Sequence, residues 1–137
     1  MTALIDTNFI CALYIANDLH HEEARAVFSD LKNEQSITTV SVLSELFYLI
    51  NKFVGYSSAI KSLKDTRQFC IIESLEIQDL NNMESIMTRY VSARFDYTDV
   101  ALMALAQRLN IKRIYTFDRR DFSIFRPQHC DTLDLLP

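Results

Sequence analysis

Short apolar segments alternate with longer helical segments along the chain, and this alternation constrains the fold more than any other sequence feature. The apolar segments are continuous, which is typical of strands buried on both faces. Strands separated by helices form a parallel sheet covered by its crossover helices. One glycine and two prolines in 137 residues favour a helix-rich domain with short connections. We therefore predict a single α/β domain over residues 1–137, a three-layer α/β/α sandwich with a short, mostly parallel sheet.

The predicted elements follow one another in a regular order. The predicted strands are residues 2–5, 36–40, 69–72 and 113–117, with a last extended segment near 131–135. The predicted helices are residues 8–14, 20–31, 42–54, 57–67, 77–91 and 96–109. Ser41 is the expected cap of the third helix, and Ser57 or Ser58 of the fourth. In such sheets ligands bind outside the carboxyl ends of the strands, so functional side chains are expected there.

Composition and charge exclude several classes of protein. No apolar run approaches the ~20 residues of a membrane span, and the N-terminus does not resemble a signal peptide, so we expect a cytoplasmic protein. Cys11, Cys70 and Cys130 are too far apart for a thiolate zinc site or a disulfide framework. The net charge of −4 disfavours a sequence-independent DNA coat. Six basic residues against two acids in residues 108–126 still predict a basic edge that can hold a phosphate backbone.

Four carboxylates are candidate catalytic residues, because each is predicted near the carboxyl end of a strand or in the first turn of a helix beginning there. They are Asp6, Glu45, Asp99 and Asp118. Three of them also have structural explanations: a helix cap at Asp6, a capping box of Asp96 with Asp99, and a turn begun by Asp118. Glu45 could be placed by the helix dipole, but its helix is apolar on most sides and is expected to be largely buried. Glutamate is almost never fully buried without a partner or a metal.

Four carboxylates held close together would repel one another, and a divalent cation removes that difficulty. Ligands that are all oxygen select Mg²⁺ or Mn²⁺ over zinc. Such a cation polarises a phosphodiester and lowers the pKa of bound water. Phosphate-binding glycine loops and G-x-S-x-G elbows are absent. The run HHEE at residues 20–23 is interpreted as a solvated helix start, since adjacent residues point to different helix faces.

The motifs LIDTN (residues 4–8), SE (44–45), DYTDVAL (96–102) and YTFDRRDF (115–122) stand in an order that resembles the PIN domain family. In particular they resemble the VapC-like toxins of prokaryotic type II toxin–antitoxin systems. The resemblance implies a three-layer fold, Mg²⁺- or Mn²⁺-dependent endoribonuclease activity on RNA, homodimerisation and inhibition by a cognate antitoxin. It assigns the metal site and its neighbours as follows: Asp6, Glu45, Asp99 and Asp118 as ligands, Asp96 as an additional or supporting acid, and Asn8 and Thr116 as flanking polar residues.

Three arginines near the last motif are candidate contacts for the RNA backbone: Arg119, Arg120 and Arg126. Two other functions remain open at the level of sequence. The first is a non-catalytic RNA- or protein-binding module on the same fold. The second is another phosphoryl-transfer enzyme, but a dehalogenase-like phosphatase would have a second aspartate where Asn8 stands. A response-regulator receiver would have paired acids after its first strand, which are also missing.

Overall fold

The computed structural model describes residues 1–137 and contains one five-stranded sheet. All four pairings between neighbouring strands are parallel, and the strand order is β3-β2-β1-β4-β5. The strands are β1 (Thr2–Ile5), β2 (Gln35–Thr39), β3 (Cys70–Glu73), β4 (Arg113–Tyr115) and β5 (Asp134–Leu136). The predicted α/β class is confirmed, and the sheet is parallel throughout.

Seven α-helices cover the two faces of the sheet. Parallel crossovers are right-handed, so the progression from β1 to β3 puts the first four helices on one face, and the return through β4 to β5 puts the last three on the other. The helices are α1 (Thr7–Tyr14), α2 (His21–Leu31), α3 (Val40–Phe53), α4 (Tyr56–Phe69), α5 (Ile77–Arg89), α6 (Tyr97–Leu109) and α7 (Arg119–Ile124). A single 3₁₀ turn, Val91–Ala93, precedes α6. None of these helices has the length and apolar composition needed to cross a membrane.

The most deeply buried helix is α6, in which every residue from Thr98 to Ala106 is buried. A helix that is apolar on all sides fits such a position. In α3 only Val42, Leu46 and Ile50 are buried, because their four-residue spacing places them on one stripe. The expectation that α3 is largely buried is therefore wrong, and Glu45 is only half-buried.

Several predicted boundaries and caps are also wrong. Thr39 occupies the cap position of α3, so the helix begins two residues earlier than predicted and Glu45 lies in its second turn. Gly55 occupies the cap position of α4 with a φ of 142°, a conformation that favours glycine. The segment after Asp118, predicted as a turn, is the helix α7. Residues 118–121 are all charged, so this short helix has too few apolar positions for its periodicity to be recognised.

The strand order reverses between β1 and β4, where the chain leaves the first half of the sheet and returns beside its starting strand. Such a reversal leaves a crevice outside the carboxyl ends of the two strands, and open α/β sheets bind their ligands there. Asp6 follows β1 directly, and Thr116 follows β4 directly.

Arg108 fixes α6 against the start of α5. Its Nε lies 3.0 Å from Oδ2 of Asp79, whose side chain is fully buried, and its Nη1 lies 3.5 Å from Glu73 and 3.4 Å from Glu76. Asp79 also accepts the backbone N–H of Glu76 at 2.8 Å. The buried carboxylate therefore depends on one guanidinium for its charge partner.

We expect Arg108→Met to lower the free energy of unfolding by about 3 kcal/mol, because the substitution leaves the buried Asp79 carboxylate without a counter-charge. The matched control is Lys61→Met, which breaks the Lys61–Asp65 pair on the surface of α4. That loss should be about 0.5 kcal/mol. Urea unfolding of the three proteins measures both values, and equal losses would contradict the role given to Arg108.

Candidate active site

Asp6 lies at the carboxyl end of β1 with only 3% of its surface exposed. Its Oδ1 accepts the backbone N–H of Thr7 at 2.7 Å, so the predicted cap of the first helix is confirmed. Its Oδ2 accepts Oγ1–H of Thr116 at 2.8 Å and Nδ2–H of Asn8 at 3.2 Å. Both carboxylate oxygens are therefore fixed by donors from the ends of β1 and β4.

Asn8 and Thr116 join the ends of these two strands. Oδ1 of Asn8 accepts the backbone N–H of Phe117 at 2.9 Å, and Oγ1 of Thr116 accepts the backbone N–H of Asp118 at 3.0 Å. Each residue thus contacts Asp6 on one side and the segment after β4 on the other. They lie beside the carboxylates, where the resemblance implied polar residues.

Asp99, Asp118 and Asp121 each place a carboxylate oxygen within 4.8 Å of the other two. Asp99 and Asp121 are buried, with exposures of 6% and 5%, and Asp118 is exposed. Sequence reasoning missed Asp121. Because Asp118 caps α7 and Asp121 is the third residue of that helix, their side chains lie on the same face. Recognising α7 as a helix would have identified Asp121.

The pKa of Asp99 is raised to about 9; burial is the largest cause, and the charge of Asp6 and the hydrogen bond with Asp121 contribute to the same rise. Asp121 and Asp118 also act on Asp99 through their charges. A carboxyl group surrounded in this way resists ionisation because its negative charge is neither solvated nor balanced.

The pKa of Asp6 is raised less, to about 6. Burial is again the largest cause, but the hydrogen bonds from Thr116 and Thr7 oppose it, and the charges of Glu45 and Asp118 add to it. Glu45 therefore acts on Asp6 from α3, on the other face of the sheet from α6. The four predicted acids and Asp121 form one electrostatic group, named here the acidic cluster.

Asp96 is not one of the three aspartates whose carboxylate oxygens lie within 4.8 Å of one another. It occupies the cap position of α6, but its exposed side chain makes no capping hydrogen bond. In a capping box the carboxylate of Asp99 would accept the backbone N–H of Asp96. That N–H instead donates to Oδ2 of Asp121, at 3.4 Å. The predicted capping box of Asp96 with Asp99 is therefore wrong, because the reciprocal acceptor comes from α7.

The three candidate RNA-binding arginines are not all near the acidic cluster. Arg120 contacts Oδ1 of Asp121 at 2.5 Å, and Arg119 donates to the carbonyl of Pro137 at 2.5 Å. Arg126 lines a cleft with Gln107, eight residues beyond Asp99, which corresponds to about 12 Å along α6.

The predicted basic edge is divided in the structure. Arg113 begins β4 at the amino edge of the sheet and pairs with Glu34, whereas Arg119 and Arg120 follow the carboxyl edge. Since β4 runs between them, closeness in sequence does not produce one basic surface. Arg108 is engaged by the acids around α5.

The acidic cluster fits a divalent cation on one independent observation. Oδ2 of Asp99 is buried and has no hydrogen-bond partner. A buried polar atom without a partner is costly, and a cation ligated there would satisfy it. All the ligands on offer are carboxylate oxygens, which suit Mg²⁺ or Mn²⁺.

A family model and a curated relative each match most of the chain. The sequence model of the PIN domain family matches residues 3–126. A curated relative, Ribonuclease VapC26 of Mycobacterium tuberculosis, is 26% identical over 125 residues, covering 90% of this chain and 92% of the relative.

Two solved structures share the fold. The first is VapC20 of Mycobacterium tuberculosis, described as a Sarcin-Ricin loop cleaving toxin, with a TM-score of 0.83, 21% identity and coverage of 95% of this chain and 98% of the other. The second is VapBC2 of Rickettsia felis bound to a DNA fragment from its promoter, with a TM-score of 0.68, 19% identity and coverage of 98% and 97%.

We expect the metal-free protein to lose stability as the pH rises. Asp6 and Asp99 have an ordinary pKa of 3.8 and folded values of about 6 and about 9, so over these ranges the folded protein binds more protons than the unfolded one. The contribution of these two groups to the free energy of unfolding is fully present below pH ~4. It decreases as the pH rises and is lost by about pH 9. Urea unfolding in EDTA between pH 5 and pH 9 measures the slope.

The control is Asp99→Asn, which removes the group with the largest shift and should flatten the slope above pH ~6. Mg²⁺ should also flatten the slope of the unsubstituted protein, since bound cation favours the ionised carboxylates. A stability that rises with pH in EDTA, or a slope unchanged by Asp99→Asn, would contradict the electrostatic description of the acidic cluster.

Proposed function

The chain belongs to the PIN domain family, and from this premise we propose that it is an endoribonuclease that hydrolyses RNA phosphodiester bonds with Mg²⁺ or Mn²⁺ and acts as a VapC-like toxin. The observation that supports the proposal most strongly is the acidic cluster itself. The carboxylates of Asp99, Asp118 and Asp121 lie within 4.8 Å of one another. The charge of Asp6 acts on Asp99, and that of Glu45 acts on Asp6, at the point where the sheet order reverses.

In this proposal Asp6, Glu45, Asp99 and Asp118 hold the cation, and Asp121 supports Asp99 from α7. When bound, a divalent cation neutralises the carboxylates, polarises the phosphodiester and lowers the pKa of water. Asn8 and Thr116 keep the Asp6 carboxylate in one orientation through the hydrogen bonds described above. Ligands fixed in this way need no reorganisation when substrate arrives.

In this proposal the carboxylate of Asp118 acts as the general base that accepts a proton from the attacking water. It is the exposed member of the trio with Asp99 and Asp121, and its Oδ1 accepts only the backbone N–H of Arg120, at 3.3 Å. Its Oδ2 accepts no hydrogen bond from the protein and so remains available to a proton from solvent.

Arg119 and Arg120 are proposed to contact the RNA backbone. Each guanidinium carries five N–H donors, and the observed contacts of Arg120 with Asp121 and the carbonyl of Ala93 use only part of this capacity. Both residues lie in the first turn of α7, directly after Asp118.

Cleavage of a labelled single-stranded RNA in Mg²⁺ or Mn²⁺ tests the proposal. We expect Asp6→Asn and Asp99→Asn each to reduce the rate at least about 100-fold, because each removes a charge from the cation's ligands. The control is Glu84→Gln, a change at an exposed acid on α5, which should retain full activity. Equal cleavage by all four proteins would exclude the acidic cluster as the active site. RNA binding without cleavage would favour the non-catalytic module.

We also propose a cognate antitoxin as a partner, because one of the similar structures is a VapBC assembly. Such an antitoxin would be a small protein whose binding covers the acidic cluster. Co-expression with a small neighbouring gene product tests this. A stable complex that no longer cleaves RNA is expected, and a complex with undiminished cleavage would contradict it.

Homodimerisation remains a prediction, and an exposed apolar corner at the junction of α3 and α4 supports it. The corner consists of Tyr48, Phe53, Val54 and Tyr56, each at least half exposed. Aromatic residues exposed together are typical of protein interfaces.

We expect Phe53→Glu to convert a dimer into monomers, because it places a charge in the centre of the apolar corner. Multi-angle light scattering at micromolar concentration measures the mass. Glu84→Gln serves again as the control for a surface change elsewhere. A dimer that persists in Phe53→Glu would assign the interface to another surface, and a monomeric unsubstituted protein would exclude the dimer.

A further inference from the structure

Three aromatic rings form a continuous stack that begins in the core and ends at the surface. Phe9 is fully buried in α1, and its ring lies 5.7 Å from that of Phe117 at an angle of 19°. The ring of Phe117 lies 4.2 Å from the imidazole of His20 at an angle of 5°. Each ring lies nearly parallel to the next, and His20 is the outermost.

His20 presents an uncovered surface at the end of this ring stack. One face of its imidazole lies on Phe117, yet 38% of the side chain is exposed. No other ring lies against it. A ring that served only to close the core would be buried, as Phe9 is. His20 therefore ends the ring stack with a partly exposed side chain that no further ring covers, and its Nδ1 lies 3.6 Å from Oε2 of Glu23.

The backbone around His20 is held by several hydrogen bonds. Its own N–H donates to Oδ1 of Asp18 at 2.8 Å, and the N–H of His21 donates to the carbonyl of Asp18 at 3.1 Å. The ring of His21 contacts the carbonyl of Ala12 at 2.6 Å through Nδ1. Since the segment is fixed before any ligand binds, little ordering is required for stacking on His20.

The ring stack lies beside the acidic cluster. The backbone N–H of Phe117 donates to Asn8, which in turn donates to Oδ2 of Asp6. Phe117 also directly precedes Asp118, so their Cα atoms are about 3.8 Å apart. A polynucleotide whose phosphate lies at the acidic cluster therefore has a neighbouring base within reach of His20.

We propose that the exposed face of His20 is a stacking site for an unpaired RNA base next to the scissile phosphate. The site takes a base of a single-stranded segment, because a base within a duplex has both faces covered by its neighbours. Stacking on aromatic side chains contributes to binding of single strands with little dependence on sequence. This inference rests on the proposed ribonuclease function, and it names the part of the substrate that the protein holds.

Abasic scanning of an RNA octamer tests the stacking site, with dissociation constants measured by fluorescence anisotropy in Mg²⁺. The measurements use the Asp6→Asn protein, so that the RNA remains intact. We expect His20→Ala to raise the dissociation constant about 10-fold. Removing the base at one position of the octamer should also raise it about 10-fold, but only while His20 is present. This non-additivity identifies a direct contact.

Three further variants separate stacking from other roles of His20. His20→Phe keeps a flat ring and should retain affinity, whereas His20→Leu keeps apolar bulk without a ring and should lose it. Glu23→Gln alters the carboxylate 3.6 Å from His20 Nδ1 and should bind RNA normally. Equal affinity of His20→Phe and His20→Leu, or abasic effects that are the same with and without His20, would overturn the proposal.

Kinetics with Asp6 intact distinguish failure of the stacking site from failure of the proposed function. We expect His20→Ala to raise KM for RNA about 10-fold and to change kcat by less than about 2-fold. Cleavage with an unchanged KM in His20→Ala would refute the stacking site alone. If the unsubstituted protein does not cleave RNA but the abasic effect still depends on His20, the ribonuclease function is refuted and the stacking site is retained.

Discussion

The structure depends on an ionisable group that is buried without a counter-charge. The carboxylate of Asp6 lies at the reversal of the sheet order, 3% exposed, and no lysine or arginine contacts it. It is retained by three hydrogen-bond donors, from Thr7, Asn8 and Thr116, and two of these residues also bind the segment after β4. The residues whose hydrogen bonds offset the cost of burying Asp6 thus also join β1 to β4 at their carboxyl ends. This explains why its pKa stays near 6, while that of Asp99 rises to about 9.

The parallel sheet gathers groups that are far apart in the sequence, because all its strands end at the same edge. Asp6 directly follows the first strand and Asp118 lies beyond the fourth, while Asp99 belongs to a helix that begins at that edge. The helices on the two faces contribute differently. Buried on all sides, α6 holds Asp99 rigidly, whereas Glu45 lies on a half-buried stretch of α3. Buried and accessible carboxylates together in one site fit the metal-dependent hydrolysis proposed above.

The sequence was sufficient for the fold class and for placing Asp6, Asp99 and Asp118, because strand ends and helix starts can be read from apolar periodicity. It was insufficient where a side chain from a distant element replaces a local partner. The capping box of Asp96 and Asp99 was a reasonable local expectation, but Asp121, from α7, accepts the hydrogen bond that Asp99 was expected to accept. Asp121 was missed for the same reason, since α7 is only six residues long and its polar start resembles a turn. The basic edge fails in the opposite way: Arg113 and Arg119 are close in sequence, but β4 places them at opposite edges of the sheet.

The burial of the carboxyl groups of Asp6 and Asp99, with the repulsion of their neighbours, links the stability of the fold to the binding of the proposed cation. A carboxyl group whose pKa is raised by burial and by its neighbours destabilises the ionised folded state, and any ligand that favours ionisation recovers that free energy on binding. Hydrogen-bond donors such as Thr116 lower the cost of ionising the buried carboxyl group of Asp6. They therefore stabilise the ionised metal-free protein and leave less free energy to be gained from a cation. Asp6 and Asp99 differ in the number of donors that offset their burial. Asp6 has three hydrogen-bond donors that satisfy its carboxylate without a metal, whereas the buried Oδ2 atom of Asp99 has none and would be satisfied by the proposed cation.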